Sequence, residues 1–355
     1  MITKMHIENF KCFKDFDIDL GPFNVLIGPN DSGKTAFLQA LALFCGVSTY
    51  QADAGMAIGD LKNFLQLDIG PNFVWRGTQN VAVKLSVEAS SGQGAKEKRS
   101  LLVEFGINRG DARFYCVSRR QNPNNRELLD WIGKAVGEAK YYHLDPVALR
   151  QPSRIASSKP FEMSADGTAF PTFLEDMLRA DRQAFFKTEE AFYQRFPQYT
   201  IDVPKDISPN GAMNVLKLKT KNGQSLTSQE VSDGALLYLA YLAISHQPNP
   251  PGVMLVEEPE NGVHHSALKQ IIEALASLSK TRGIQVILTT HSPYLLDFVE
   301  PENVQVFLKD SEGAVHATKM SDSAQVKDLQ KDFMTGEIWT VLSEEGLAGK
   351  TQVKP

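Results

Sequence analysis

Eight consecutive residues, GPNDSGKT from Gly28 to Thr35, carry the spacing G-x-x-x-x-G-K-[ST]. Glycines in such a loop let backbone amides curl around phosphates, and a helix starting there adds its positive end. Gly28, Pro29, Asn30, Asp31, Ser32 and Gly33 would form the cradle. Lys34 would neutralise the β- and γ-phosphates of a nucleotide, and the Thr35 hydroxyl would ligate magnesium. A second segment, GVMLVEEPENGVHH from Gly252, is an apolar strand ending in two carboxylates. Open α/β sheets place their chemistry at such strand ends. Glu257 would sit near Mg2+, and Glu258 would position and polarise an attacking water. In ILTTHSPYLLD, His291 follows another apolar strand. A lone histidine is more often structural, but in this slot it becomes a contact to the γ-phosphate or the attacking water. Finally, QEVSDGALLYLAYLA sets Ser232 and Gly234 before an apolar helix. Ser-x-Gly there is an ordinary cap, or a second anion site whose free amides meet another subunit's phosphate.

These residues need elements to hold them. KMHIENF and DFDIDL alternate apolar and polar side chains, the pattern of a half-buried antiparallel pair. FNVLI is continuously apolar up to Gly28, which predicts a buried central strand. After the loop, Phe37, Ala40, Leu41 and Phe44 share one helical face. VAVKLSVE, LLVEFGI and ARFYCVS predict strands, with SSGQGAKEKRS as a hairpin turn, and NNRELLDWIGKAV predicts a helix. KYYHLDP predicts a short strand closed by its proline, Thr172 to Phe196 is helical in pattern, and MNVLKLKT predicts a strand. GALLYLAYLAIS and ALKQIIEALASL predict helices around the buried strands VMLV and IQVILTT. The order makes an α/β core with a helical insertion.

Composition excludes several classes. With 42% hydrophobic and 22% charged residues the chain reads as a soluble globular protein, and a net charge of −5 argues against a generally basic nucleic-acid coat. Cys12, Cys45 and Cys116 share no metal or redox spacing, as in reduced cytoplasmic proteins. The charged start MITKMHIENF is no signal peptide, and the apolar stretch from Ala235 to Ser245 is too short to span a bilayer. A cytoplasmic protein without a membrane partner is expected.

In order and spacing, MHIENFKCFKDF, GPNDSGKT, VSDGALLYLA, VEEPENGVHH and THSPYLL resemble the ABC-type ATPase heads of the structural-maintenance-of-chromosomes and recombination-repair branch. More closely they look like the compact bacterial AAA-type (AAA_21-like) members without a long coiled coil. The resemblance implies a P-loop NTPase fold: N-terminal antiparallel strands, a mostly parallel core sheet and a helical insertion. It makes Gly28 to Thr35 the Walker A loop, Glu257 and Glu258 the end of Walker B, Ser232 to Gly234 the signature loop, and His291 the switch histidine. Asn261 to His264 would cross a dimer interface, Lys11 would lie near the nucleotide, and Gln79 is a candidate for the glutamine loop. Relatives commonly carry Asp where this chain has Glu257. VSDGALL differs from the LSGGQ of transporters and argues against a transporter motor.

The implied cofactors are ATP and Mg2+, and the implied mechanism is a switch. Two heads close head-to-tail around two ATP molecules and part after hydrolysis, acting on nucleic acid or on an effector or nuclease protein in DNA repair or anti-phage and plasmid defence. A non-catalytic nucleotide sensor is the alternative. Too little chain follows His291 for an appended nuclease domain of the usual size. Expected boundaries are 1–121 for the first part of the head, 122–210 for a mainly helical insertion lobe, 211–320 for the rest of the head and 321–355 for a tail. Lys96, Lys98, Arg99, Arg119, Arg120, Arg150 and Arg154 are candidate nucleic-acid contacts, or ordinary solvated charges. The aromatic run from Phe161 to Phe196 is expected to pack as core rather than to serve as a docking face.

Overall fold

The computed structural model describes residues 1–49, 56–57, 83–90, 98–108, 113–116, 131, 133, 136–155, 163–208 and 211–347. Gln79, Lys96, Arg119, Arg120 and Phe161 lie outside them, as does most of NNRELLDWIGKAV. Contacts divide the chain into two units. The first comprises Met1–Tyr141, Pro251–Glu258 and Ala276–Pro355, the second Tyr142–Pro250 and Pro259–Leu275. The division falls later than the 121/122 boundary read from sequence, and it groups the helix after Ser232 with the insertion.

In the first unit the alternating segments form β1 (Ile2–Phe10) and β2 (Phe13–Asp19), paired antiparallel from Lys4↔Asp19 to Phe10↔Phe13. The apolar run forms β3 (Phe23–Ile27), buried at all five positions, and Lys34–Thr49 forms α1. Strands β4 (Met56–Ala57), β5 (Val83–Ser90), β6 (Lys98–Asn108) and β7 (Arg113–Cys116) complete a six-stranded sheet in the order β2-β1-β5-β6-β7-β4. Ala139–Tyr142 forms β8.

The second unit starts as the chain leaves β8. Pro146 does not close that strand, which already ends at Tyr142. It opens the short helix α2 (Pro146–Leu149), whose cap Asp145 accepts from the Val147 amide at 2.8 Å. After β9 (Ser153–Arg154), the long helical segment is two helices, α3 (Phe170–Ala180) and α4 (Arg182–Arg195). Asp181 divides them, because its carboxylate caps the Gln183 and Ala184 amides. Phe170, Phe173, Phe185 and Phe192 are buried, as core packing requires, while Phe186 and Tyr193 are exposed. The lobe also carries strands β10 (Tyr199–Asp202), β11 (Lys205–Ser208), β12 (Gly211–Asn214), β13 (Lys217–Thr220) and β14 (Ser225–Thr227). MNVLKLKT is therefore not one strand. It passes from the sheet β11-β12-β9 to the sheet β10-β13-β14 at Val215-Leu216. Helix α5 (Asp233–His246) follows, buried on every side from Ala235 to Ser245.

The first unit resumes with β15 (Val253–Glu257). Helix α6 (His265–Arg282) begins among the residues of the second unit and ends among those of the first. Then come β16 (Gln285–Thr289), the short α7 (Pro293–Leu296), β17 (Val304–Lys309) and β18 (Val315–Lys319). The second six-stranded sheet runs β18-β17-β3-β16-β15-β8. Its pairs β17/β3, β3/β16 and β16/β15 are parallel, and β18 is antiparallel to β17. From Phe37 to Cys45 helix α1 is buried all round rather than on one face: Phe37, Leu38, Leu41, Leu43 and Phe44 are all fully covered. Phe16 of β2, Phe37 of α1 and Phe307 of β17 pack ring to ring at 5.5–5.9 Å, joining the antiparallel sheet, the helix and the parallel sheet.

Two buried glutamines add polar links between the sheets. Gln285 of β16 accepts from the Ile2 amide at 2.9 Å and donates to the carbonyls of Ile2 and Gly21 at 2.7 and 2.9 Å. Gln305 of β17 donates to Asp19 at 3.0 Å. Since each buried backbone group left without a partner costs about 1–3 kcal/mol, Gln285→Leu is expected to lower the unfolding free energy by about 3 kcal/mol, which urea denaturation would measure.

Candidate nucleotide site

The loop after β3 is shaped by glycines with no steric alternative. Gly28 has φ 144°, and a Cβ there would lie 2.2 Å from the Phe307 carbonyl oxygen. Gly33 has φ 98°, and its Cβ would meet Cys12 Sγ at 2.9 Å and Val315 at 3.1 Å. Pro29, Asn30 and Asp31 are exposed at the crest, while Ser32 and Lys34 are buried beneath it. Asp31 also has positive φ, 63°, and pairs with Lys309 at the end of β17. The Lys34 ammonium donates to Gly28 O at 2.8 Å, Pro29 O at 2.9 Å and Ser32 Oγ at 3.3 Å. It is thus held inside the curl of the loop, beside the amides that would surround a phosphate.

Glu257 ends β15, opposite Thr289 in the parallel register. One of its carboxylate oxygens accepts from the Thr35 hydroxyl and the other from the Tyr141 hydroxyl of β8. Burial, reinforced by the Glu257 charge, pushes the Tyr141 phenol far above its ordinary range, so it remains a neutral donor. Tyr141 was not legible in sequence, because nothing in KYYHLDP ties one tyrosine to an acid 116 positions later. Thr35 and Glu257 offer only hard oxygen donors, placed side by side, and this set fits magnesium.

The next residue, Glu258, has φ 44°, a left-handed conformation costly for a residue with a Cβ. Its amide is held by Thr289, with the carbonyl oxygen at 3.1 Å and Oγ1 at 3.3 Å. The turn brings Glu258 Oε1 to 3.3 Å from His291 Nε2. Burial first, and the Lys34 charge second, hold His291 below its ordinary value of 6.5, although Glu258, Glu257 and Glu344 pull the other way. His291 is therefore neutral at neutral pH. Beneath it, the Thr290 amide donates to Leu26 O at 3.1 Å, which ties the histidine's position to the strand that launches the loop.

The structure thus brings together Lys34, Thr35, Glu257, Glu258 and His291 from sequence positions more than 200 residues apart. Lys11 stands in the turn between β1 and β2, at φ 50°, and its ammonium donates to Gln39 of α1. In the second unit Ser232 occupies the N-cap of α5, yet its side chain makes no capping bond, so the ordinary-cap reading fails. A Cβ on Gly234 would meet Gly262 O at 3.1 Å, so the start of α5 packs directly against the loop containing Asn261 to His264. Arg150 is not an ordinary solvated charge. Its guanidinium is largely covered and bonded to the segment before α5. Arg99 lies over Trp131 at 4.8 Å, and Arg154 is exposed.

Residues 23–297 match a family model described as AAA_21, "AAA domain, putative AbiEii toxin, Type IV TA system". The chain belongs to this family. Across 99% of its length this AAA_21 protein is 21% identical to an "OLD nuclease" of Thermus scotoductus, covering 70% of it. Over the same share it is 28% identical to the "Old nuclease" of Escherichia phage P2, covering 68% of that protein. In fold it is similar to an SMC head solved in complex with the C-winged helix domain of ScpA, with TM-score 0.60 and 14% identity over 89% of this chain and 96% of that one. The expected SMC/ABC-like P-loop ATPase head is therefore the architecture of this AAA_21 chain. Among the described residues no helix is long and apolar enough to cross a membrane.

Two outcomes follow from the geometry. Removing one hydrogen bond to a charged carboxylate costs about 1.5–3 kcal/mol, so Tyr141→Phe is expected to raise the Mg2+ concentration for half-maximal ATP binding roughly tenfold, read by fluorescent-nucleotide titration. Because His291 is held below 6.5, ATP turnover is expected to stay level from pH 8 down to about 6.5 and to fall only as the imidazole protonates at lower pH, read from a rate–pH profile.

Proposed function

We propose that this chain binds and hydrolyses ATP as a closing switch. The observation that carries the reading is the convergence of Lys34, Thr35, Glu257, Glu258 and His291 at the C-terminal ends of β3, β15 and β16. The loop amides and Lys34 bind and orient the β- and γ-phosphates. Thr35 and Glu257 hold magnesium, which when bound neutralises charge on the phosphate oxygens. Glu258 accepts a hydrogen bond from the attacking water, while neutral His291 at 3.3 Å fixes the rotamer of that carboxylate. Phosphoryl transfer asks for positioning and charge stabilisation rather than covalent chemistry, and these groups provide both.

Ser232 and the start of α5 receive the γ-phosphate of a second copy, whose own signature loop does the same in return. The uncapped Ser232 hydroxyl supports this role. Closing and opening then act on an effector or nucleic acid in defence or repair. The OLD nuclease relatives favour a nuclease as that effector, whether part of the same assembly or a separate protein. Glu257 in place of the commoner Asp motivates the second reading, a sensor that binds ATP without turnover.

Hydrolysis is expected to require Mg2+ and to fall at least about 100-fold in Lys34→Ala, the scale of removing a transition-state charge contact. Glu258→Gln is expected to bind ATP and accumulate as the closed dimer. Light scattering of Glu258→Gln with and without Mg·ATP measures this: a rise in mass that Ser232→Arg abolishes supports closing. An unchanged mass with bound ATP means that the head is preassembled or closed by another protein, and tight wild-type binding without phosphate release would establish the sensor.

A further inference from the structure

Arg150 holds the segment that leads into α5 from outside. Arg150 closes α2, and its guanidinium reaches across about 80 residues of sequence to three parts of that segment. Nε donates to Ser228 O at 3.1 Å, and Nη2 donates to Val231 O at 2.8 Å and to Asp233 Oδ1 at 2.5 Å. Nη1 donates to Pro146 O at 3.2 Å, so the other end of the fork is fixed on its own helix. In return the buried Ser228 donates its hydroxyl to Arg150 O at 2.9 Å. The side chain of Arg150 is 14% exposed and that of Asp233 60% exposed.

Asp233 poses an electrostatic problem. It stands between Ser232 and Gly234, in the first turn of the helix whose N-terminal amides are to meet another protomer's phosphate. A carboxylate is welcome at a helix N-terminus by itself, but beside an incoming phosphate it repels. A planar guanidinium suits the pairing better than an ammonium, since it can hold the carboxylate and two backbone carbonyls at once.

We propose that Arg150 is a positioning residue for the signature loop: it fixes the backbone from Ser228 to Val231 and neutralises Asp233, so that the start of α5 accepts the γ-phosphate of a second copy. This rests on the closing-switch reading above. Arg150 itself touches no nucleotide. Its absence is felt in association between copies, while each copy's own phosphate loop still binds ATP.

The test uses the full chain carrying Glu258→Gln, with Mg·ATP, and reads three quantities: the dimer dissociation constant by light scattering, fluorescent ATP affinity at protomer concentrations below dimerisation, and the thermal midpoint. Adding Arg150→Ala is expected to weaken ATP-driven association at least tenfold while ATP affinity changes less than threefold. Adding Asp233→Asn to that variant is expected to recover at least threefold of the loss, because the uncompensated charge is then gone. A purely structural clamp would give no such recovery, so a double variant no better than Arg150→Ala overturns the proposal, as does unchanged association in Arg150→Ala. Should Arg150→Ala fail to fold, Asp233→Asn alone decides: association as tight as the parent or tighter supports charge neutralisation, and a tenfold loss overturns it. If the Glu258→Gln parent itself shows no ATP-driven association, the closing reading falls and takes this role of Arg150 with it; a parent that associates while the variants misbehave condemns the role of Arg150 alone.

Discussion

Strand β3 is hydrogen-bonded in parallel to β16 on one side and β17 on the other, and the level at which those pairings run determines where the chemistry stands. Leu26 lies opposite Thr289, and Thr289 lies opposite Glu257. The residues that leave the three strand ends, Gly28, His291 and Glu258, therefore emerge along one edge. A one-residue slip in any of these pairings would displace that strand's end by about 3.3 Å relative to the other two. The neighbour β17 also restricts the loop directly, because the Phe307 carbonyl occupies the space that any side chain at residue 28 would need.

Polar groups at this edge are arranged so that each carboxylate has a separate task. Glu257 is bracketed by the hydroxyls of Thr35 and Tyr141, one from the phosphate loop and one from the sheet's last strand. Glu258 instead sits on a left-handed backbone anchored by Thr289, which swings its side chain toward His291. Strain of about 1–3 kcal/mol at such a residue persists only where the surroundings enforce it. Here the buried Thr289 provides that enforcement with both its carbonyl and its hydroxyl.

What could be read from residues alone follows from how locally each feature is encoded. The glycine loop from Gly28 to Thr35, the acids Glu257 and Glu258, His291 and the strands before them are contiguous patterns of apolar runs, glycines and charges, and the strands and the helix after the loop form where those patterns put them. Tyr141 and Arg150 escaped because their partners are remote in sequence and their own neighbourhoods are unremarkable. An arginine in a polar stretch reads as solvated unless something reveals that four oxygens surround it. The division of Thr172 to Phe196 at Asp181, and of MNVLKLKT between two sheets, escaped for a related reason. Periodicity reports which face is buried, and it is nearly silent on where a chain changes partner. Burial of α1 on every side from Phe37 to Cys45 was hidden likewise, since one apolar stripe is enough to predict a helix and says nothing of a sheet on its other side.

The link from Gln285 to Ile2 has a kinetic meaning beyond its stabilising one. Chain ends usually fray, so their amide protons exchange with solvent through small, frequent openings. The Ile2 amide instead ends on a buried side chain of β16, deep in the parallel sheet. Because that acceptor is rooted in a buried core strand, this proton is expected to be protected together with the sheet that carries Thr289. The second residue of the chain thereby belongs to the same cooperative unit as the strand that anchors Glu258.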